Sequence, residues 1–193
     1  MKIFFSRARV FYPKQLFLIM IIFLSFSELV NGQYCILMEN PPIEFSFRNN
    51  NASNQYKLAK SFSNNIELLL LNFGRFVENG YRLTIKQDKS CEFIYFDEKT
   101  YKILETDTTL VNEIRLGSEE LKKEGSYYGV CQESSGHGWA MFLIKTPKNH
   151  FELSASGHSI QEILEKNKEE CFGNLLIYET FSKLIDDNKN IIK

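Results

Sequence analysis

The chain has 193 residues, a formal net charge of −1, and 44% hydrophobic residues against 24% charged. Near-neutral charge with no basic stripe excludes a nucleic-acid-binding role. The 17 Phe and 9 Tyr exclude a disordered chain, because they supply apolar surface that only a packed interior can bury.

Residues 1–32 read as a secretory signal peptide. Lys2, Arg7, Arg9 and Lys14 make a basic start, 16–26 is an apolar run of the right length, and Val30 and Gly32 are small enough to flank a cleavage site. Gln33 is then the first mature residue. The apolar run is short of the roughly 20 residues that span a bilayer. No longer one follows, so the expected mature chain, 33–193, has no transmembrane segment. It is one domain of about 160 residues.

Cys35, Cys91, Cys131 and Cys171 all lie in that domain. An even count in an exported chain points to two disulfides, with the pairing open. Wide spacing without Cys-x-x-Cys argues against zinc. Asn51-Ala52-Ser53 is a glycosylation sequon in a polar stretch that suits a surface loop.

A helical pattern runs over 55–78 through Leu58, Phe62, Ile66, Leu69, Phe73 and Phe76, and Gly80 closes it. Strands follow at 82–86, 91–96 and 101–104, then a helix over 110–123 capped by Asp107 or Thr108 and ended by Gly125. The Gly- and Ser-rich stretch 125–138 reads as a loop tethered through Cys131. Residues 139–144 are almost wholly apolar, Pro147 and Asn149 supply a turn, and an alternating strand follows, making a hairpin over 139–155. Ser156 or Ser159 caps the next helix. Gly173 precedes a last helix with Leu176, Phe181, Leu184 and Ile185 on its apolar face, and 185–193 is a frayed tail. The expected fold is α/β: a small central sheet flanked by about four helices. Trp139, on an apolar strand, is expected in the core.

Gly157-His158-Ser159-Ile160-Gln161 resembles a nucleophile elbow between strand and helix. Gln161 replaces the final Gly, and no histidine follows Ser159, so the helix-capping role is the better reading. His137, His150 and His158 share no metal-binding spacing. The acidic pairs Asp97-Glu98, Glu119-Glu120, Glu169-Glu170 and Asp186-Asp187 match no calcium loop and read as solvated faces. Ser134-Ser135-Gly136-His137-Gly138 precedes a strand instead of opening a helix, unlike a phosphate-binding loop. Nothing calls for a cofactor or a metal.

Cys35, the segment 80–85 (Gly-Tyr-Arg-Leu-Thr-Ile), 118–123, Cys131, 138–144 and 151–157 stand in an order that resembles the TPM domain. The likeness is to its exported or membrane-tethered animal form, named for modulators of levamisole receptors. It covers about residues 35–185 and departs from the family in the strand-like insertion 91–104 and in lacking an acidic cluster at the strand ends. The resemblance implies a sheet sandwiched by helices and an auxiliary role beside a cell-surface, ligand-gated receptor of the acetylcholine-receptor type. The resulting expectation is a secreted, disulfide-bonded, non-enzymatic binding module for an extracellular or cell-surface protein. The alternatives are a small secreted hydrolase or phosphatase-like enzyme, centred on Ser159 or an acidic metal site, and an apolar-ligand carrier.

Overall fold

The computed structural model describes residues 35–39, 47–74, 78–121, 123–131, 138–156 and 159–192. The segment 1–32, expected to be a signal peptide, lies outside them. In chain order the elements are β1 (Cys35–Glu39), α1 (Asn50–Lys60), β2 (Ile66–Phe73), β3 (Glu78–Ile85), β4 (Cys91–Phe96), β5 (Tyr101–Ile103) and α2 (Thr108–Ser118). Then come β6 (Gly125–Cys131), β7 (Trp139–Lys145), β8 (His150–Ser156), α3 (Ile160–Lys166), α4 (Lys168–Asp187) and α5 (Lys189–Ile192). The strands form one sheet of eight in the order β1-β6-β8-β7-β2-β3-β4-β5. Every pairing is antiparallel except β6 with β8. The α/β class is as expected, and the sheet is larger than the small one anticipated.

Side chains alternate across a strand, so each strand splits its residues between two layers. On one face Leu68, Leu83, Phe93, Phe142, Phe151 and Leu153 join Ile114 of α2, Ile163 of α3 and Phe181 of α4 in the larger core. Phe181 lies 5.8 Å from Phe93 and 6.3 Å from Phe142, ring to ring, and Tyr178 meets Phe142 edge-on at 5.0 Å. These contacts seat α4 on the middle of the sheet. On the opposite face Leu69, Leu71, Ile94, Phe96, Met141 and Leu143 pack under Ala52 and Ala59 of α1. Small residues on α1 let its backbone sit close to the strands.

The helix expected over 55–78 is a correction. Only 50–60 is helical, and the Leu-rich run 66–73 is the central strand β2, paired to β3 and β7. Leu68 and Leu70 face one core while Leu69 and Leu71 face the other, so the run is buried on both sides. Such a short apolar run fits a strand as well as a helix, and tertiary burial decided it. Leu58 and Phe62, assigned to the buried face, are exposed. Gly80 is no helix cap. It sits in β3, where an added Cβ would come 2.6 Å from the Leu70 carbonyl oxygen and 2.7 Å from Phe96.

The expected loop 125–138 is also corrected over 125–131. That segment is β6, pairing β1 and β8, and Gly125 opens it at φ 110°. The helix before it ends at Ser118, well short of 123. Gly173 lies inside α4, which is kinked at Cys171 (φ −109°, ψ 18°). In the tail, where fraying is expected, 189–192 form α5: buried Asn188 exchanges hydrogen bonds with the Glu105 backbone, and Lys102 Nζ donates to the carbonyls of Ile191 and Ile192. Leu176 is exposed, whereas Phe181, Leu184 and Ile185 are buried as expected.

Candidate binding surface

Buried charge is the first place to seek chemistry, and here it secures α1. Glu67, on β2, is 2% exposed. It accepts hydrogen bonds from Arg82 Nε at 3.0 Å and Thr84 Oγ1 at 2.7 Å, and Arg82 Nη1 donates to Gln55 of α1 at 2.9 Å. Glu152, on β8, accepts from Tyr56 OH at 3.1 Å and Lys60 Nζ at 2.9 Å, both from α1. Burial pushes the Tyr56 hydroxyl above its ordinary pKa. Burial alone would lower the Lys60 ammonium, but its bonds to Tyr56 and Glu152 outweigh that and hold it above the ordinary value. Each carboxylate is paired and hydrogen-bonded, the condition under which buried ions are tolerated.

The surface with unspent capacity lies on the same sheet face, at the β1 end. On this face α1 packs on β2, β3 and β7, whereas the helix that packs on β1 and β6 is α3, on the other face with Cys35, Tyr127 and Cys131. Antiparallel register sets Ile36 opposite Val130 and Met38 opposite Tyr128. Ile36 is 61% exposed, Met38 41% and Val130 40%. Tyr128 stacks on Trp139 at 5.7 Å, two half-buried rings reaching across β8, where Ser154 and Ser156 leave room for them. Trp139 is therefore at the margin of the patch, not in the core. Among the described residues β1 is also an edge strand, pairing on one side only, with β6. Contiguous apolar side chains beside an open strand edge are the usual makings of a protein-binding surface.

A disulfide fixes that edge. Cys35 and Cys131 are opposite each other in the β1–β6 register and are bonded across 96 residues of sequence. The expectation of two bridges is corrected to this one. Cys91 and Cys171 are thiols, because the fold sends them to separate places. Cys91 begins β4 with its Sγ 3.4 Å from Thr106 Oγ1. Cys171 is buried at the α4 kink, and burial pushes its pKa up to about 11.

The other sequence candidates fall apart in space. Ser159 caps α3, its Oγ accepting the Glu162 N–H at 3.1 Å. His137, His158 and 134–137 lie outside the described residues, and His150 is exposed at the start of β8. Asn51 is in the first turn of α1, not in a surface loop, and its Nδ2 donates to the Asp97 carbonyl at 2.9 Å. Asp97 itself accepts from the Lys99 and Thr100 N–H groups, closing a turn. Glu170 pairs with Lys123, and Asp186 with Lys189 at 2.7 Å. Among the described residues, no group of three or more His, Cys, Asp or Glu is placed to hold a metal. None of their helices is long and apolar enough to cross a membrane. The sequence reading missed Ile36, Met38 and Val130. The available signal was apolar residues at both parities of a strand that begins or ends on a cysteine.

The chain matches no protein-family model, and neither curated proteins nor solved structures show a significant similarity to it.

Proposed function

We propose that this protein is an exported, non-enzymatic binding module that engages an extracellular or cell-surface protein through the β1–β6 end of its sheet. The observation that carries this reading is the exposed Ile36, Met38 and Val130 set against Tyr128 and Trp139, on an edge held in place by the Cys35–Cys131 bond. The partner of best fit contributes an extended segment to the free edge of β1, with apolar side chains laid on that patch. The disulfide suits an oxidising compartment, in keeping with residues 1–32 acting as a cleaved leader. The resemblance to receptor modulators makes a ligand-gated receptor of the acetylcholine-receptor type the first partner to try. A glycan on Asn51 is compatible with the fold, since a glycosylated amide keeps one N–H for the bond to Asp97.

The test compares binding of fluorescent protein to cells displaying such a receptor with binding of the Ile36→Glu/Val130→Glu double variant. Both substitutions sit on exposed positions, so the melting temperature should be unchanged while binding falls by at least about tenfold. Equal binding by both proteins, or no receptor-dependent binding by either, would remove the proposal. Self-association that the double variant abolishes would instead mark the patch as a homodimer interface and would equally overturn it.

A further inference from the structure

A second opening lies at the other end of the strands, and its chemistry is different. The β3–β4 turn, the β7–β8 turn and the C-terminal end of α2 surround a cleft of about 540 Å³. Four cations line it: Lys86 and Lys89 from the first turn, Lys148 from the second, and Arg115 from α2. Glu119 is the only acidic residue among the lining, and its carboxylate lies 3.7 Å from Arg115 Nη1, too long for a hydrogen bond. Together with the partial negative charge of the α2 C-terminus, it offsets less than half of the cationic charge.

Asp88, in the first turn, acts electrostatically on Lys86 and Glu119 pairs with Arg115, but two details show that much of the charge is unspent. Arg115 Nε is buried and has no hydrogen-bond partner, an unusual state for a guanidinium donor. No described carboxylate lies within ion-pair distance of Lys86, Lys89 or Lys148. The neighbouring cleft of about 330 Å³ makes the contrast: its Lys60 is bound to Glu152 and its Lys145 donates to the Ser61 carbonyl at the end of α1. Lys89 adds a third detail. It holds a left-handed backbone (φ 67°) at the turn position where Gly or Asn is the usual residue. At this lining position the chain carries a charged side chain where glycine would relieve the backbone.

We propose that this cleft binds a sulfate- or phosphate-ester-bearing saccharide. The cations supply charge-assisted hydrogen bonds to the ester oxygens. Asn64, Gln87 and Asn149 offer amides suited to sugar hydroxyls, and no aromatic ring among the lining residues is available to stack on a nucleobase. The volume is that of a small-ligand site. This inference stands apart from the β1–β6 surface, since the two share no residue.

The test is calorimetric titration of the purified protein with two probes, a sulfated heparin tetrasaccharide and fructose 1,6-bisphosphate, repeated with Lys89→Gly, Arg115→Gln and Lys57→Gln. Binding of either probe is expected, weakened by at least about tenfold in Lys89→Gly or Arg115→Gln and unchanged in Lys57→Gln, whose lysine is exposed on α1. Lys89→Gly suits the turn better than lysine does, so its loss of binding cannot come from misfolding. The probe that binds identifies the source of the ester. No binding of either probe, affinities retained within about twofold in both cleft variants, or an equal loss in Lys57→Gln would overturn the site.

Discussion

Two thiols with the same covalent chemistry have been given different reactivity by where the chain puts them. Cys171 is fully buried at the α4 kink, and burial holds its pKa up to about 11. At pH 8 only about one part in a thousand is thiolate, the form that reacts. Cys91 is half-exposed at the start of β4, against Thr106. Iodoacetamide at pH 8 should therefore modify Cys91 in the native protein and reach Cys171 only after denaturation. Mass mapping of the labelled peptides checks this. Rapid native labelling of Cys171, or a bridge between the two, would contradict the assignment. The only covalent constraint described is then Cys35–Cys131, which ties the edge strand β1 to β6 at the border of the larger core.

At the scale of elements, the central pair β2–β3 depends on a glycine. Gly80 lies opposite Leu71 in that pair, and an added Cβ would meet the Leu70 carbonyl oxygen and the Leu71 and Phe96 side chains at 2.6–2.7 Å. Gly80→Ala should cost about 2–3 kcal/mol by overpacking, read as a lower urea midpoint with an unchanged slope. A loss under about 0.5 kcal/mol would mean that the strands separate there at little expense. The same region shows why the sequence was only partly readable. The hairpin over 139–155 declared itself because its strands are bounded by a Pro-containing turn and differ in pattern. The strands 82–86, 91–96 and 101–104 were legible because short polar turns, 87–90 and 97–99, separate them. The run 66–73 was not: four consecutive leucines have no period to read, and Phe62 and Phe73 happened to extend a helical spacing on either side. Asp107 and Ser159 were identifiable as caps because capping is local. Asn51, Gly80 and β6 were misread because their partners, Asp97, Phe96 and β8, are distant in sequence.

At the scale of the whole molecule, the described helices α2, α3 and α4 pack on one face of the sheet and α1 packs on the other. The uncovered part of that second face is where β1, β6 and the Tyr128–Trp139 pair lie. A hairpin-rich sheet ends in two edges, and this one treats them differently. The β5 edge is three residues long and has Lys102 bound to the carbonyls of α5, a short and tethered edge of the kind that resists pairing. The β1 edge is longer, apolar and bolted down by a disulfide. That asymmetry is the basis for assigning the binding role to β1. The cationic cleft could not be found from sequence for a related reason. Its lysines and arginine come from two turns and a helix end, and only the three-dimensional fold gathers them.

The most direct test places a photo-reactive residue at position 130 or, as a control, at position 103 on the opposite edge, and illuminates the protein bound to receptor-bearing cells. Val130 and Ile103 are both exposed strand residues, so both variants should fold. Crosslinks to a membrane protein from position 130 and none from position 103 are the expected result. Equal crosslinking from both edges, or crosslinks from position 103 alone, would contradict the assignment of the β1–β6 end as the binding surface.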